Sequence, residues 1–515
     1  MDTVKEIENP SRKLRVNVII NLIRTLTMTL LSFLTFPYVT RALGDQVFGL
    51  YTWANTFVYY FLILAKISIP NIAIRECAKV KDDKKALSHK AQEFFILQCI
   101  TTLLSFAFMA TLCFTVPSIR ETSSLIYLLS INFLVGVFSF EWIYVTLEKH
   151  FYVTVRSILI IAITATMTFL FIKPTSYGIN EIYIYAAITI SVTILTSIVN
   201  LIFLPRYISL KKEGPYDFKQ YAHPLFTFFC ISALLTIYNQ TDSFLLGYLD
   251  STKSSVGSYS VGVKGIDIII TLTTSLYVVF MPRAHYYYNK TNKNAYVNLL
   301  RYSFNITFFI AIPAIATMAT MATPITALIS GSSDAVQGQY NNANLVLAIL
   351  AIMMLSYSIC DTMYTQILLP AKKEALYLYS LLAGVILNVS LSLLFGLLFF
   401  KDNPVIGVAI ATALSDLIIM TFLLIKTWHY SRKAVFQVNN LKILIAGALV
   451  AVFSYFFAPF LTGIFKNNGQ ELWQAYLFSL LITTAIDAVI YLGALIISKE
   501  HLVTLILHNK RGDFE

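Results

Sequence analysis

Residues 16–69 read VNVIINLIRTLTMTLLSFLTF, then PYVTRALGDQ, then VFGLYTWANTFVYYFLILAKISI. Two apolar runs of 21 and 23 residues flank a ten-residue break that carries Pro37, Arg41, Gly44 and Asp45. A helix rises about 1.5 Å per residue, so about 20 apolar residues cross the roughly 30 Å of bilayer hydrocarbon. Only helices and closed barrels satisfy their backbone polar groups in lipid. Barrel strands alternate apolar and polar residues over about ten positions. These runs are continuous and twice that length, so they predict a helical membrane protein.

The same pattern continues outward to the C-terminus. After the first two spans, apolar blocks fall at 91–116, 124–147, 153–172 and 182–204. A charged break from Arg206 to Lys219, with Gly214 and Pro215, precedes blocks at 224–246, 256–281, 297–321, 343–369, 375–400 and 405–425. Two more, 441–464 and 474–497, lead into a short polar tail. The expected fold class is therefore all-α and polytopic, with about fourteen transmembrane helices. No small-residue cleavage site follows the first block, which reads as a retained helix rather than a signal peptide.

Composition agrees. Of 515 residues, 57% are hydrophobic and 13% charged, with a mean hydropathy of +0.70. Soluble domains carry about 25% charged residues, so an ordinary water-facing surface cannot be assembled from this inventory. The formal charge of +11 does not point to nucleic acid, because its bases cluster in alternate short loops. With the N-terminus placed in the cytoplasm, 29 of the 38 Lys and Arg fall on inner loops and adjoining helix ends, and six on outer loops. Three more, Arg24, Lys66 and Lys264, lie within spans. That asymmetry predicts an even number of spans and both termini inside. Aromatic pairs at Phe36/Tyr38, Tyr51/Trp53, Trp142/Tyr144 and Tyr286/Tyr287/Tyr288 are expected to mark the membrane–water interfaces. The five cysteines (Cys77, Cys99, Cys113, Cys230, Cys360) are odd in number and form no CxxC, so neither a disulfide framework nor a zinc site is indicated.

The break in the opening stretch has an echo. Leu43-Gly44 followed by Phe48-Gly49-Leu50-Tyr51 recurs, six spans later, as Leu246-Gly247 followed by Val256-Gly257-Ser258-Tyr259. An even number of intervening helices gives both copies the same orientation. This predicts two six-helix lobes related by an axis along the membrane normal, a transporter arrangement. The expected divisions are residues 1–205 and 206–426 for the lobes, and 427–515 for two accessory helices and a cytoplasmic tail.

Ionisable residues at membrane depth cost a few kcal/mol on insertion scales, so they mark partners or wet cavities. Arg24 lies about nine residues into the first span, with Asn21 one turn before it and no acidic neighbour at helical spacing. Lys264 sits in the eighth span, three residues before Asp267, where an i,i+3 ion pair competes with a ligand-facing role. Lys66 and Glu141 lie near inner helix ends, where Lys66 can snorkel to water. Asp242 closes the sequence Tyr238-Asn239-Gln240-Thr241-Asp242, while Asp361, Asp416 and Asp487 lie inside spans ten, twelve and fourteen. Asp487, in an accessory helix, reads as a helix–helix contact. Arg24 and Lys264, one per half, suit an anionic head group in a central cleft. The candidate cation-coupling carboxylates are Asp242, Asp267, Asp361 and Asp416.

Enzyme signatures are weak. The seven histidines fall at inner loops or inner helix ends, unpaired at metal-ligand spacing, and no HExxH, GxSxG or Walker A sequence occurs. Gly331-Ser332-Ser333-Asp334 in an outer loop reads as a turn. No catalytic residue, metal site or cofactor is expected, and transport needs an ion gradient or a partner to drive it.

Four segments in order resemble the Wzx-type polysaccharide flippase family of the multidrug/oligosaccharidyl-lipid/polysaccharide exporter superfamily. They are Phe36–Asp45 with Phe48-Gly49-Leu50-Tyr51; Ile69–Glu76, ending in Arg75-Glu76; Glu141-Trp142-Ile143-Tyr144 with Leu147-Glu148-Lys149; and Tyr238–Gly247 with Val256–Ser260. Together they cover about the first 290 residues. The resemblance implies a V-shaped, two-lobed bundle in the bacterial cytoplasmic membrane. It implies flipping of undecaprenyl-diphosphate-linked oligosaccharide from inner to outer leaflet by alternating access, for capsule, O-antigen or exopolysaccharide assembly. On that reading Arg24 and Lys264 contact the diphosphate, and Asn21, Asn239 and Gln240 contact sugars. H+ or Na+ is the coupling ion, membrane lipids surround the chain, and a polysaccharide polymerase and chain-length regulator are partners. The cavity cations are fewer than the related lipid II flippases carry. Two alternatives stand beside it: a multidrug/cation antiporter, which shares the two-lobe plan but usually has twelve helices, and a membrane-bound polymerase or glycosyltransferase, which needs a large extramembrane loop or a concentrated acidic/His site.

Overall fold

The computed structural model describes residues 10–173, 179–209, 211–212, 214–290, 293–331 and 339–507; within its helices the side chains of residues 10–19, 21–22, 179, 268, 272, 274–279 and 505–507 are not described. Every regular element among the described residues is a helix, with no strand among them. The turn expected at Gly331–Asp334 lies mostly outside the described residues.

The chain forms two compact units: Met1–Leu43 with Trp53–Ile237, and Gly44–Thr52 with Tyr238–Glu515. The first contains most of α1 (Pro10–Lys66), then α2 (Ile69–Ala78), α3 (Lys84–Thr115), α4 (Pro117–Arg120), α5 (Ser123–Gly136), α6 (Glu141–Thr146), α7 (His150–Phe171) and α8 (Ile179–Phe203). The start of α9 (Ala222–Leu249) belongs to it as well. The second continues with α10 (Ser254–Asn289), α11 (Lys293–Thr320), α12 (Ala322–Ser330), α13 (Ala343–Leu350), α14 (Met353–Met363), α15 (Glu374–Leu394) and α16 (Pro404–Lys426). It ends with α17 (Trp428–Val435), α18 (Val438–Asn467), α19 (Leu472–Ile497) and α20 (His501–Leu507).

Twelve helical segments among the described residues are long and apolar enough to cross a membrane. The first, Ile23–Ala78, is 56 residues long and carries both spans of the opening stretch. Helix α10, part of whose side chains are not described, occupies the expected eighth span. The ten-residue break was expected to separate two helices, and two helices do meet there, joined directly at a kink. Helix continues through Pro37 and is interrupted at Gly44, whose φ of 74° lies in the left-handed region that favours glycine. The break is a kink rather than a loop.

That kink carries residues 44–52 into the second unit, where the two copies of the glycine signature meet. A Cβ at Gly49 would stand 1.9 Å from the Lys253 carbonyl oxygen, and one at Gly257 would stand 2.3 Å from that of Asp45. The hydroxyl of Ser254 donates to the Asp45 carboxylate across the same contact. Small residues let helix backbones approach closely where lipid supplies no hydrophobic drive. The repeated glycines are therefore the two faces of one tight crossing.

Two of the expected interfacial aromatic groups are instead packed inside. Trp53 is 1% exposed and Tyr144 1% exposed. Trp142 packs edge-on to Phe94 at 6.2 Å in the first unit's core, and the Tyr144 hydroxyl donates to the Asn200 carbonyl at 2.5 Å. A ring with a polar tip suits an interface, but equally suits a buried position where that tip finds a partner.

Candidate functional site

In the second unit, α9, α10, α15 and α16 bring together a polar cluster at membrane depth. Asp242 on α9 and Asp416 on α16 are 5% and 6% exposed. Tyr259 donates to Asp242 Oδ2, and Thr412 Oγ1 donates to the same oxygen at 2.9 Å. Asn388 on α15 donates its amide to Thr412 at 3.0 Å, and Tyr238 donates to Asp416 Oδ1. Among the described residues, Asp242 Oδ1, Asp416 Oδ2, Asn388 Oδ1 and the hydroxyls of Ser392 and Ser415 have no hydrogen-bond partner. Neither aspartate has an Arg or Lys within ion-pair distance among the described residues. Burying a carboxylate away from any cationic side chain is costly in a lipid setting, which marks the pair as a functional candidate. Its neighbours offer oxygen donors, which suit hard cations.

The sequence named both aspartates but none of the partners. Tyr238 was visible beside Asn239, one turn before Asp242. Tyr259 was visible as the last residue of the repeated signature, though not as a partner of Asp242; Asn388 and Thr412 carry no sequence signal, since a hydroxyl or amide in an apolar block is ordinary. The remaining residues of that group do not join the cluster. Lys264 and Asp267 pair with each other at 3.8 Å. Asp361 is half-buried on α14, Asn239 is exposed and Gln240 half-buried on α9.

The first unit holds a second polar network. Arg24 Nη1 lies 3.5 Å from Glu141 Oε1, and Arg156 Nη2 lies 3.0 Å from Glu141 Oε2. Arg156, 5% exposed, also donates to Asn200 Oδ1 at 2.6 Å. The acidic partner that helical spacing denied to Arg24 thus comes from α6. Arg156 was missed because it sits near a helix start, where a base reads as a loop residue. The Asn21 side chain lies outside the described residues. In the accessory pair, Ser454 on α18 donates to Asp487 on α19 at 2.6 Å, a helix–helix contact. No cluster of three or more His, Cys, Asp or Glu suited to a metal occurs among the described residues.

Comparison with known proteins adds to this geometry. A family model described as "Polysaccharide biosynthesis protein" matches residues 14–284, and one described as MatE matches residues 228–394. A "Putative O-antigen transporter" of Escherichia coli (strain K12) is 22% identical over 234 residues, covering 45% of this chain and 55% of that protein. The match thus spans about half the length of the curated relative. Among solved structures, an inward-facing multidrug resistance MATE family transporter of the MOP superfamily superposes with a TM-score of 0.59 at 13% identity. That match covers 81% of this chain and 99% of the transporter. The lipid II flippase MurJ in its inward closed conformation aligns over 97% of this chain and 98% of its own, at 17% identity and a TM-score of 0.47.

Proposed function

Because the chain belongs to the polysaccharide biosynthesis protein family, we propose that it flips lipid-linked oligosaccharide units across the cytoplasmic membrane for surface polysaccharide assembly. The observation that carries this reading is the family match over residues 14–284, which contains all four motifs of the flippase resemblance. The substrate is an undecaprenyl-diphosphate-linked repeat unit, moved from the inner to the outer leaflet by alternating access. On this reading both termini lie in the cytoplasm, a placement that the Lys/Arg distribution supports.

Moving a diphosphate and sugars through hydrocarbon needs a polar route and a source of free energy. Arg24, 3.5 Å from Glu141, contacts the diphosphate on this reading, since a guanidinium fork matches phosphate oxygens. Lys264 is 3.8 Å from Asp267, a loose pair that a phosphate can displace. The Asp242–Asp416 cluster takes up H+ or Na+, and its occupancy biases the second unit between two packings of α9, α15 and α16. The ion is a co-substrate here.

The test uses a strain lacking the chromosomal gene and complemented with variants. Arg24→Ala and Asp416→Asn are expected to reach the membrane at normal levels and to lose surface polysaccharide, with lipid-linked units accumulating inside. Normal export by both would remove the proposed roles. A second reading, a multidrug/cation antiporter, is favoured by the MatE match over residues 228–394. Drug resistance conferred by the wild-type protein, without restored polysaccharide, would select it.

A further inference from the structure

At one end of the second unit, the C-terminal end of α10, the start of α11, α17, the start of α18 and the start of α20 surround a cavity of about 880 Å³. Arg283, Arg301, Arg432, Lys433 and His501 line it, and no Asp or Glu does. Among the described residues none of the four Arg and Lys side chains has an acidic partner within ion-pair distance. Like charges gathered without counter-ions repel, so such a cluster persists only where water or an anion compensates it. The four bases come from three separate elements, so no single solvated helix face accounts for them.

The pocket is built rather than casual. Arg301 Nε donates to the Lys433 carbonyl at 3.1 Å, which ties this guanidinium to the end of α17. Gln437 donates to the Arg301 carbonyl at 2.9 Å. Buried Asn440 donates to the Val435 carbonyl at 2.8 Å and accepts from Asn305 at 3.1 Å. This amide network fixes the α17–α18 turn against α11. Three guanidinium groups and an ammonium match the planar, multidentate recognition of phosphate oxygens.

The rim tells which phosphate. Phe436 is 66% exposed and Val438 71%, and both also line the cavity. Val438 is the first residue of a membrane span, so the cations sit at the level where hydrocarbon gives way to head groups. A soluble anion would have no use for that apolar lip. We propose that this pocket binds the phosphate head group of an anionic bilayer lipid in the leaflet facing the Lys/Arg-rich loops. Basic pockets between helices on that side recognise such head groups, each Lys or Arg contributing about fivefold in affinity. The proposal stands whether or not the flippase reading does.

The experiment follows thermal unfolding of the purified full chain in dodecyl maltoside micelles. The micelles contain phosphatidylglycerol, phosphatidylcholine or, in place of lipid, inorganic pyrophosphate. Phosphatidylglycerol is expected to raise the melting temperature, as any ligand of the folded state does, and phosphatidylcholine is not. Arg432→Gln combined with Lys433→Gln should weaken the apparent affinity about twenty-five-fold. Arg283→Gln, on a different helix, should weaken it about fivefold and provides the measurement if the double variant fails to fold. Lys466→Gln, at the far end of α18, should leave it unchanged. Equal responses to the two lipids, or undiminished affinity in the folded variants, would overturn the site. A pyrophosphate response equal to that of phosphatidylglycerol would overturn the lipid as its occupant.

Discussion

Gly257→Ala tests the crossing at which the two signature copies meet. The added methyl would lie 2.3 Å from the Asp45 carbonyl oxygen and 3.1 Å from its carbon. Carbon and oxygen that are not bonded rarely approach within about 3 Å, so the helices must part by most of an ångström. The obstacle is backbone, held by the kink at Gly44, and cannot rotate aside as a side chain would. Overpacking of a tight contact costs about 1–3 kcal/mol, and the upper end applies here. For a unit of this size that lowers the melting temperature by about 5 °C. The assay is thermal unfolding in detergent, with Gly463→Ala as reference. Nothing lies within 4 Å of a Cβ at Gly463, so that substitution gains up to about 1 kcal/mol of helix propensity. Equal melting temperatures for the two variants would refute the crossing. Gly49→Ala, facing the Lys253 carbonyl at 1.9 Å, should fall further than Gly257→Ala.

Glu141→Gln removes the charge shared by Arg24 and Arg156 and leaves buried Arg156 with only neutral acceptors. Glu141 is itself 39% exposed, so after allowance for solvent screening the loss is about 2 kcal/mol; an unchanged unfolding midpoint would show that the network is not structural. Asp250 lies in the α9–α10 turn. Burial pushes its carboxyl up, but N–H donation from Ser255 at 2.8 Å and Thr252 at 2.9 Å, with the Thr252 hydroxyl at 2.7 Å, outweighs that and holds it below the usual carboxylate range. A depressed folded value means stability present above about pH 4 and lost as pH falls through that lower value. Asp250→Asn should cost about 0.5 kcal/mol at neutral pH, given its partial exposure. The difference should vanish in strong acid, and a difference constant across pH would contradict the linkage.

Much of the architecture was legible before any coordinate. Apolar runs near 20 residues and the charge-poor composition follow from the bilayer's thickness and dielectric, so span positions read from hydropathy fall within a few residues of the helices, as with 343–369 against Ala343–Leu368. The repeated glycine signature was also visible, as was the isolation of Arg24 from acids on its own helix. The aromatic edges misled at Trp53 and Tyr144, because amphipathic rings satisfy interfaces and buried sites alike.

By itself the sequence determined that this chain spans a membrane many times, how its loops alternate in charge, and which ionisable groups lie at depth. Those properties depend on local composition and on periods of one helix length. Only the tertiary structure decided that Arg24 meets Glu141 across 117 positions, that Thr412 reaches Asp242 across 170, and that Gly49 and Gly257 form one contact. It also decided that Arg283, Arg301, Arg432 and Lys433 share a cavity. Each pairing joins residues whose separation along the chain exceeds any helical repeat, so it is fixed by which helices pack together, and no local pattern encodes that choice.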